Sequence, residues 1–362
     1  MIKKIILFIL LTNFSVVFNI LARDRSLDVS DEFLGPQNQF NTPFCQSFAM
    51  IGLLEHYWYK KTKTHMKFSE KYMVKAISLT IAEKMWIESE QRFNTEVLQF
   101  FHPGAAGISI ILEAVKRYGM VPDSAYPSVI RAADKDIFNL NMEKYLEFAL
   151  TSPQKLNELG KSLSDVRKMI EDIFGNPQNF SVTADYFSYV DYLNHTSRFT
   201  SSNEILQFVE FETDELGVFY NRDGFLPERS IFNPESYAGF RDAELYGGNY
   251  FFESHAGEMI TSIEKAIDLG VPVAYWNKWQ KIVNNRLDDV GGHATLIVGY
   301  QKTPDGKTWY RVKHSGGVNA DRKVYLIDGT TSPMITEKGY IYFEKDTLKT
   351  LLIAIIIPSI FL

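Results

Sequence analysis

The chain has one cysteine, Cys45, which opens the apolar run Phe48-Ala49-Met50-Ile51-Gly52-Leu53-Leu54-Glu55, six residues after Gln39. Far downstream, His293 heads a second apolar stretch, Ala294-Thr295-Leu296-Ile297-Val298-Gly299-Tyr300. A lone thiol at a helix start, an upstream amide and a distant histidine on a strand are the parts of a thiol nucleophile site. The positive end of a helix lowers a thiol's pKa, and the thiolate is the reactive form. An imidazolium beside it lowers the pKa further and later protonates the leaving amine. The oxyanion formed on an attacked carbonyl needs fixed donors, and the Gln39 amide and the Cys45 N–H supply them if the intervening loop folds back. The competing reading is the ordinary one for a free cysteine, a small buried hydrophobe.

These side chains must be held by a helix and a strand from opposite ends of the chain. Phe44 to Lys60 reads as a helix, apolar at Phe48, Ile51, Leu54 and Trp58. A second helix starts near Glu70 with Ser69 as its N-cap, and a third runs from Ile108 to Tyr118 and stops at Gly119. Residues 131 to about 216 are charged and helix-favouring, broken at Gly160, Gly175 and Pro177, and predict several surface helices. From 217 to 250 the aromatic and glycine-rich composition predicts loops. After a short helix from Ile260 to Leu269, strands are predicted at 271–276, 294–300, 308–313, 323–328 and 339–343, and a buried final strand at 351–358. Helices first and strands last place the cysteine and the histidine on either side of a cleft.

Composition narrows the function classes. The formal net charge is −6, which argues against nucleic acid or an anionic lipid surface as the main partner. A basic start, the apolar run Ile5 to Leu11 and Leu21-Ala22 before Arg23-Asp24-Arg25 predict a signal peptide over residues 1–22. The protein is therefore expected to be exported, secreted or periplasmic, with residues 23–362 as the folded part. A membrane anchor is the alternative reading of that segment, but Thr12-Asn13 and Asn19 interrupt it, and no stable membrane association is expected. One cysteine forms no internal disulfide, so an apolar core must hold the fold.

Taken in order, the blocks resemble the papain-like cysteine peptidases. Gln39 to Cys45 with Ser47-Phe48-Ala49 looks like that family's oxyanion glutamine and nucleophile block. Phe68-Ser69-Glu70 with Met73-Val74 is similar to its second helix start. Tyr118-Gly119-Met120-Val121 with Tyr126-Pro127, Ala266 to Val273, and Gly292-His293-Ala294 with Val298-Gly299-Tyr300 resemble the later blocks. The resemblance implies an α+β fold with an N-terminal helical half, a C-terminal twisted antiparallel β half and an active-site cleft between them. Residues 131–250 would be an insertion, helical then loop-rich. It implies a peptide or protein substrate and no cofactor, with Cys45, His293, Gln39 and a third residue orienting the imidazole as the machinery.

That third position departs from the pattern. The family has an asparagine here, in an Asn-Ser-Trp-Gly block; this chain has His314-Ser315-Gly316-Gly317. A neutral imidazole nitrogen can accept a hydrogen bond, so His314 can still orient His293. Pro43 and Phe44 replace the small residues before the nucleophile, and the bulk of Phe44 is expected to crowd the substrate side of the thiol. The short lead-in before Gln39 leaves no room for the family's inhibitory pro-segment, unless the segment 131–216 masks the cleft; that segment could equally be a substrate-restricting lid or a docking surface for a protein partner. A catalytically inactive binding protein of the same fold is the second function reading.

The remaining candidates read as structural. His56 and His65 are expected to be solvated helix-end residues and His255 a loop residue, while His102 precedes Pro103 and His195 sits in a polar run; none has metal-ligand spacing. Asp288-Asp289 reads as a surface loop, Trp276 and Trp279 as core or cleft rim, and Gly316-Gly317 as a turn. Asn179 and Asn194 match glycosylation acceptors.

Overall fold

The computed structural model describes residues 27–28, 30–32, 34–39, 44–95, 108–128, 142–188, 190–211, 216–221, 251–283, 286–315, 324–325, 331–332, 335–337 and 339–358. Helices α1 (Cys45–Thr62), α2 (Glu70–Met85) and α3 (Ile108–Tyr118) form the N-terminal half. Helices α4 (Met142–Ala149), α5 (Pro153–Glu158) and α6 (Leu163–Phe174), a hairpin of β2 (Val182–Ser188) and β3 (Leu193–Phe199), and α7 (Ser202–Phe208) follow; β1 is the short strand Leu27–Asp28. The C-terminal part holds β4 (Leu216–Asn221), β5 (Phe251–Ser254), α8 (Ala256–Asp268), β6 (Val273–Val283), β7 (Arg286–Lys302), β8 (Thr308–Lys313), β9 (Ile335–Glu337), β10 (Tyr340–Glu344), α9 (Lys345–Leu351) and β11 (Leu352–Pro358).

Local chemistry accounts for most of these boundaries. The Ser69 hydroxyl accepts from the Tyr72 N–H at 3.1 Å and starts α2. Gly119 ends α3 at φ +65°, where an added Cβ would lie 2.5 Å from the Ser202 carbonyl oxygen, so glycine alone fits. Helix α1 is buried on nearly every face, from Cys45 to Trp58, as expected of a helix sandwiched between layers rather than lying on a surface.

The sheet runs β9-β10-β8-β7-β6-β11-β4-β5, with β1 added on β7 through Leu27 opposite Tyr300. Its pairs are antiparallel apart from the parallel β4–β5 edge. Side chains alternate across it: Ala294, Leu296 and Val298 of β7 join the core around α1, while Ile297 joins the core under α8 and α9. The final apolar run is the buried strand β11, between β6 and β4. No helix among the described residues is long and apolar enough to cross a membrane.

Several expectations need correction. The region read as surface helices contains the hairpin β2–β3 as well, and its helices are not superficial: Tyr145, Phe148, Val166, Ile170 and Phe174 belong to the same core as α1. Residues 216–221 are a strand of the main sheet, not loop, and 222–250 lie outside the described residues. Asp288 and Asp289 stand on β7, opposite Lys281 and Gln280. His56 is fully buried, with its Nδ1 3.0 Å from Glu32, and burial pushes its pKa down. His255 caps the start of α8. Of the strand expected at 323–328, Val324–Tyr325 is described. The signal peptide, Pro43, His102 and Gly316-Gly317 also lie outside the described residues.

Candidate active site

Cys45 is the first residue of α1, and Phe44 before it carries no side-chain cap. The carbonyl of Phe44 accepts from Ser47 and Phe48, so the helix closes on residues beyond the cysteine. The N–H groups of Cys45 and Gln46 are therefore helix-terminal donors without an intrahelical acceptor. The thiol is buried, and burial pushes its pKa up; the backbone N–H groups of Ala294, Gln46 and Cys45 act in the opposite direction. The Ala294 contribution sets the sulfur against the residue that follows His293.

Phe44 does not crowd the site. Its ring is 1% exposed and meets Tyr145 of α4 edge-on, with centroids 5.5 Å apart. Phe44, the residue before Cys45, is held in the core by α4.

His293, on β7, and His314, immediately after β8, are both buried. Their Nε2 atoms are 3.1 Å apart. One of the two must carry the shared proton. When His293 is an imidazolium, its Nε2–H donates to His314, whose own proton then sits on Nδ1. In that arrangement His314 Nε2 accepts from His293 Nε2.

Gln39 reaches the same place. Its N–H donates to the Ser315 carbonyl at 2.7 Å, and the Ser315 hydroxyl donates to its side-chain oxygen Oε1. With the oxygen engaged, the end of the amide that can face a substrate is the Nε2 donor. Ser315 was quoted in the sequence only as part of a block; its clasp on Gln39 spans 276 positions and has no local signal.

Behind His314 lies a second group that sequence reading missed. Glu55 of α1 is buried and lies 3.5 Å from the half-buried Lys313 of β8, and Glu70 at the start of α2 is buried nearby. Burial pushes the Glu55 carboxyl up to about 7 and raises that of Glu70. Gly52, Glu55, Glu70, Thr295, Lys313 and His314 line one narrow cavity. Trp276 lies in the core. Among the described residues no cluster of three or more His, Cys, Asp or Glu side chains is arranged to hold a metal ion.

No protein-family model and no curated protein matches the sequence. Solved structures do. PepW from Lactobacillus rhamnosis HN001 is 15% identical with a TM-score of 0.56, over 91% of this chain and 80% of that one. The bromelain protease from Ananas comosus in complex with the E64 inhibitor is 12% identical with a TM-score of 0.39, over 92% and 98%. Digestive procathepsin L 3 of Tenebrio molitor larval midgut is 12% identical with a TM-score of 0.38, over 92% and 69%. At such identities the likeness is one of fold. The chain has the papain-like α+β fold: a helical half and a C-terminal antiparallel sheet.

Proposed function

We propose that this chain is an exported thiol hydrolase, a divergent papain-like cysteine peptidase. Cys45 attacks the carbonyl as thiolate while His293 holds the proton, then passes it to the leaving amine. The new tetrahedral oxyanion lies between the Gln39 amide and the Cys45 N–H. His314 keeps the imidazole in plane and in the correct tautomer, and water releases the acyl group from the sulfur with His293 as base. The carrying observation is the 3.1 Å contact between the Nε2 atoms of His293 and His314, which supports an imidazole in the orienting role. Peptide and protein substrates fit this chemistry.

One observation favours the second reading, a binding protein of the same fold. Cys45 is 7% exposed and burial raises its pKa, the reverse of an activated thiol. Incubation with a defined peptide library, products identified by mass spectrometry, separates the two. Cleavage abolished in Cys45→Ala supports the hydrolase, and an intact library with the folded wild-type chain supports the binding protein.

A further inference from the structure

We propose that Lys313 is a positioning residue for this site: its ammonium holds His314 neutral, so that His314 Nε2 accepts from His293. The proposal rests on the thiol-hydrolase reading above. An asparagine in the orienting position does not titrate, but a histidine does. A second proton on His314 would set two N–H groups against each other across the 3.1 Å contact and would push the imidazolium of His293 out of place.

The side chain of Lys313 is placed to prevent that. It directly precedes His314 in the chain, is only 9% exposed, and runs back along α1. Its Nζ lies 3.5 Å from where a Cβ would stand on Gly52, at ordinary van der Waals distance from the helix. Lys313 and His314 line the same cavity. A positive charge in such an enclosed, poorly solvated space opposes a second one nearby.

The other groups around His314 leave this charge in command in acid. Helix α1 contributes Glu55, and α2 contributes Glu70, which has Lys67 at 3.8 Å with Asp123 beyond it. Strand β7 contributes His293, the lead-in contributes the neutral Gln37 and Gln39, and the loop before β10 contributes the carbonyl of Gly339, which accepts from the His314 N–H at 3.4 Å. The two carboxyls that could balance the ammonium are both shifted by burial toward their neutral forms. In the range where a histidine takes up its second proton, Glu55 is mostly neutral.

The test uses the full chain and two readouts: NMR titration of the histidine rings, with His314 assigned by its loss in His314→Asn, and the pH profile of Cys45 alkylation by iodoacetamide. Lys313→Met keeps the length of the side chain and removes the charge. It is expected to raise the pH at which His314 protonates by about one unit, and to move the acid limb of alkylation with it, a tenfold loss of rate on that limb. Lys313→Arg is expected to keep both. In the His314→Asn background Lys313→Met is expected to leave the acid limb in place. An unchanged His314 titration in Lys313→Met overturns the proposal, as does an equal shift of the limb with asparagine at 314. If Lys313→Met does not fold, Glu55→Gln decides: it leaves Lys313 charged, so an unmoved His314 titration is expected and an upward shift refutes the proposal. Ring titration reads His314 directly, so it stands even if slow alkylation defeats the hydrolase reading.

Discussion

Replacing Ser315 by alanine separates the orientation of the proposed oxyanion donor, Gln39, from its presence. The Ser315 hydroxyl donates to Gln39 Oε1, while the Gln39 backbone N–H is held by the Ser315 carbonyl at 2.7 Å. Ser315→Ala deletes the first bond and keeps the second, so the Gln39 backbone stays and its amide becomes free to turn. Deleting an oxyanion donor outright costs about 3–4 kcal/mol, or roughly 10²–10³ in rate. Loss of one buried hydrogen bond costs about 1–3 kcal/mol, and only part of it falls on the donor's orientation. We therefore expect about a tenfold slower acylation in Ser315→Ala and about 10²–10³ in Gln39→Ala. The double variant should be no slower than Gln39→Ala alone, because the hydroxyl acts through the amide. Acylation of Cys45 by an activated p-nitrophenyl ester, followed by stopped-flow release of p-nitrophenolate, measures all three. Additive losses in the double variant, or Ser315→Ala as slow as Gln39→Ala, would refute the clasp.

Two further outcomes follow from burial. Glu55 titrates at about 7 in the folded chain against 4.5 for an unperturbed carboxyl, so folding favours its protonated form. The associated stability is present below pH 4.5 and is lost as pH rises through about 7, a difference of about 3 kcal/mol; the raised Glu70 adds in the same direction. Urea unfolding at pH 4.5 and 8 should show this loss in the wild type and a flatter dependence in Glu55→Gln, and equal slopes would contradict it. Phe44→Ala opens a hole between α1 and α4 and should cost about 3–5 kcal/mol. Thermal melting reads it, and a loss under about 1 kcal/mol would mean that the Tyr145 contact anchors nothing.

What the sequence disclosed and what it hid follow from the range of the forces involved. Helix α1, the Ser69 cap and the Gly119 stop are local, set by side chains within a turn or two of each other, and they were legible. Strand β8 was legible too, because Thr308, Tyr310 and Val312 alternate with more exposed residues. The hairpin β2–β3 was hidden since both strands are mostly exposed and their polar residues carry little alternation. His56 looked solvated beside Lys60 and Lys61, yet its own face of α1 is covered by Glu32 from the lead-in.

The site divided in the same way. Cys45, His293 and Gln39 stood in blocks that a reader can find, and His314 followed a strand with the right pattern. Nothing near Phe44 says which way its ring turns; Tyr145, a hundred residues later, decides that. Likewise Glu55 and Lys313 are 258 positions apart, and their pairing exists only once α1 lies on the sheet.

The most direct test of the account is the pH profile of Cys45 modification by an epoxide that traps papain-type thiols, read by intact mass in the wild type and in His293→Ala. The account predicts rapid single-site modification near neutral pH that His293→Ala abolishes, because the imidazole keeps the buried sulfur as thiolate. Modification no faster than a free thiol, rising only above about pH 8 and indifferent to His293, would contradict it.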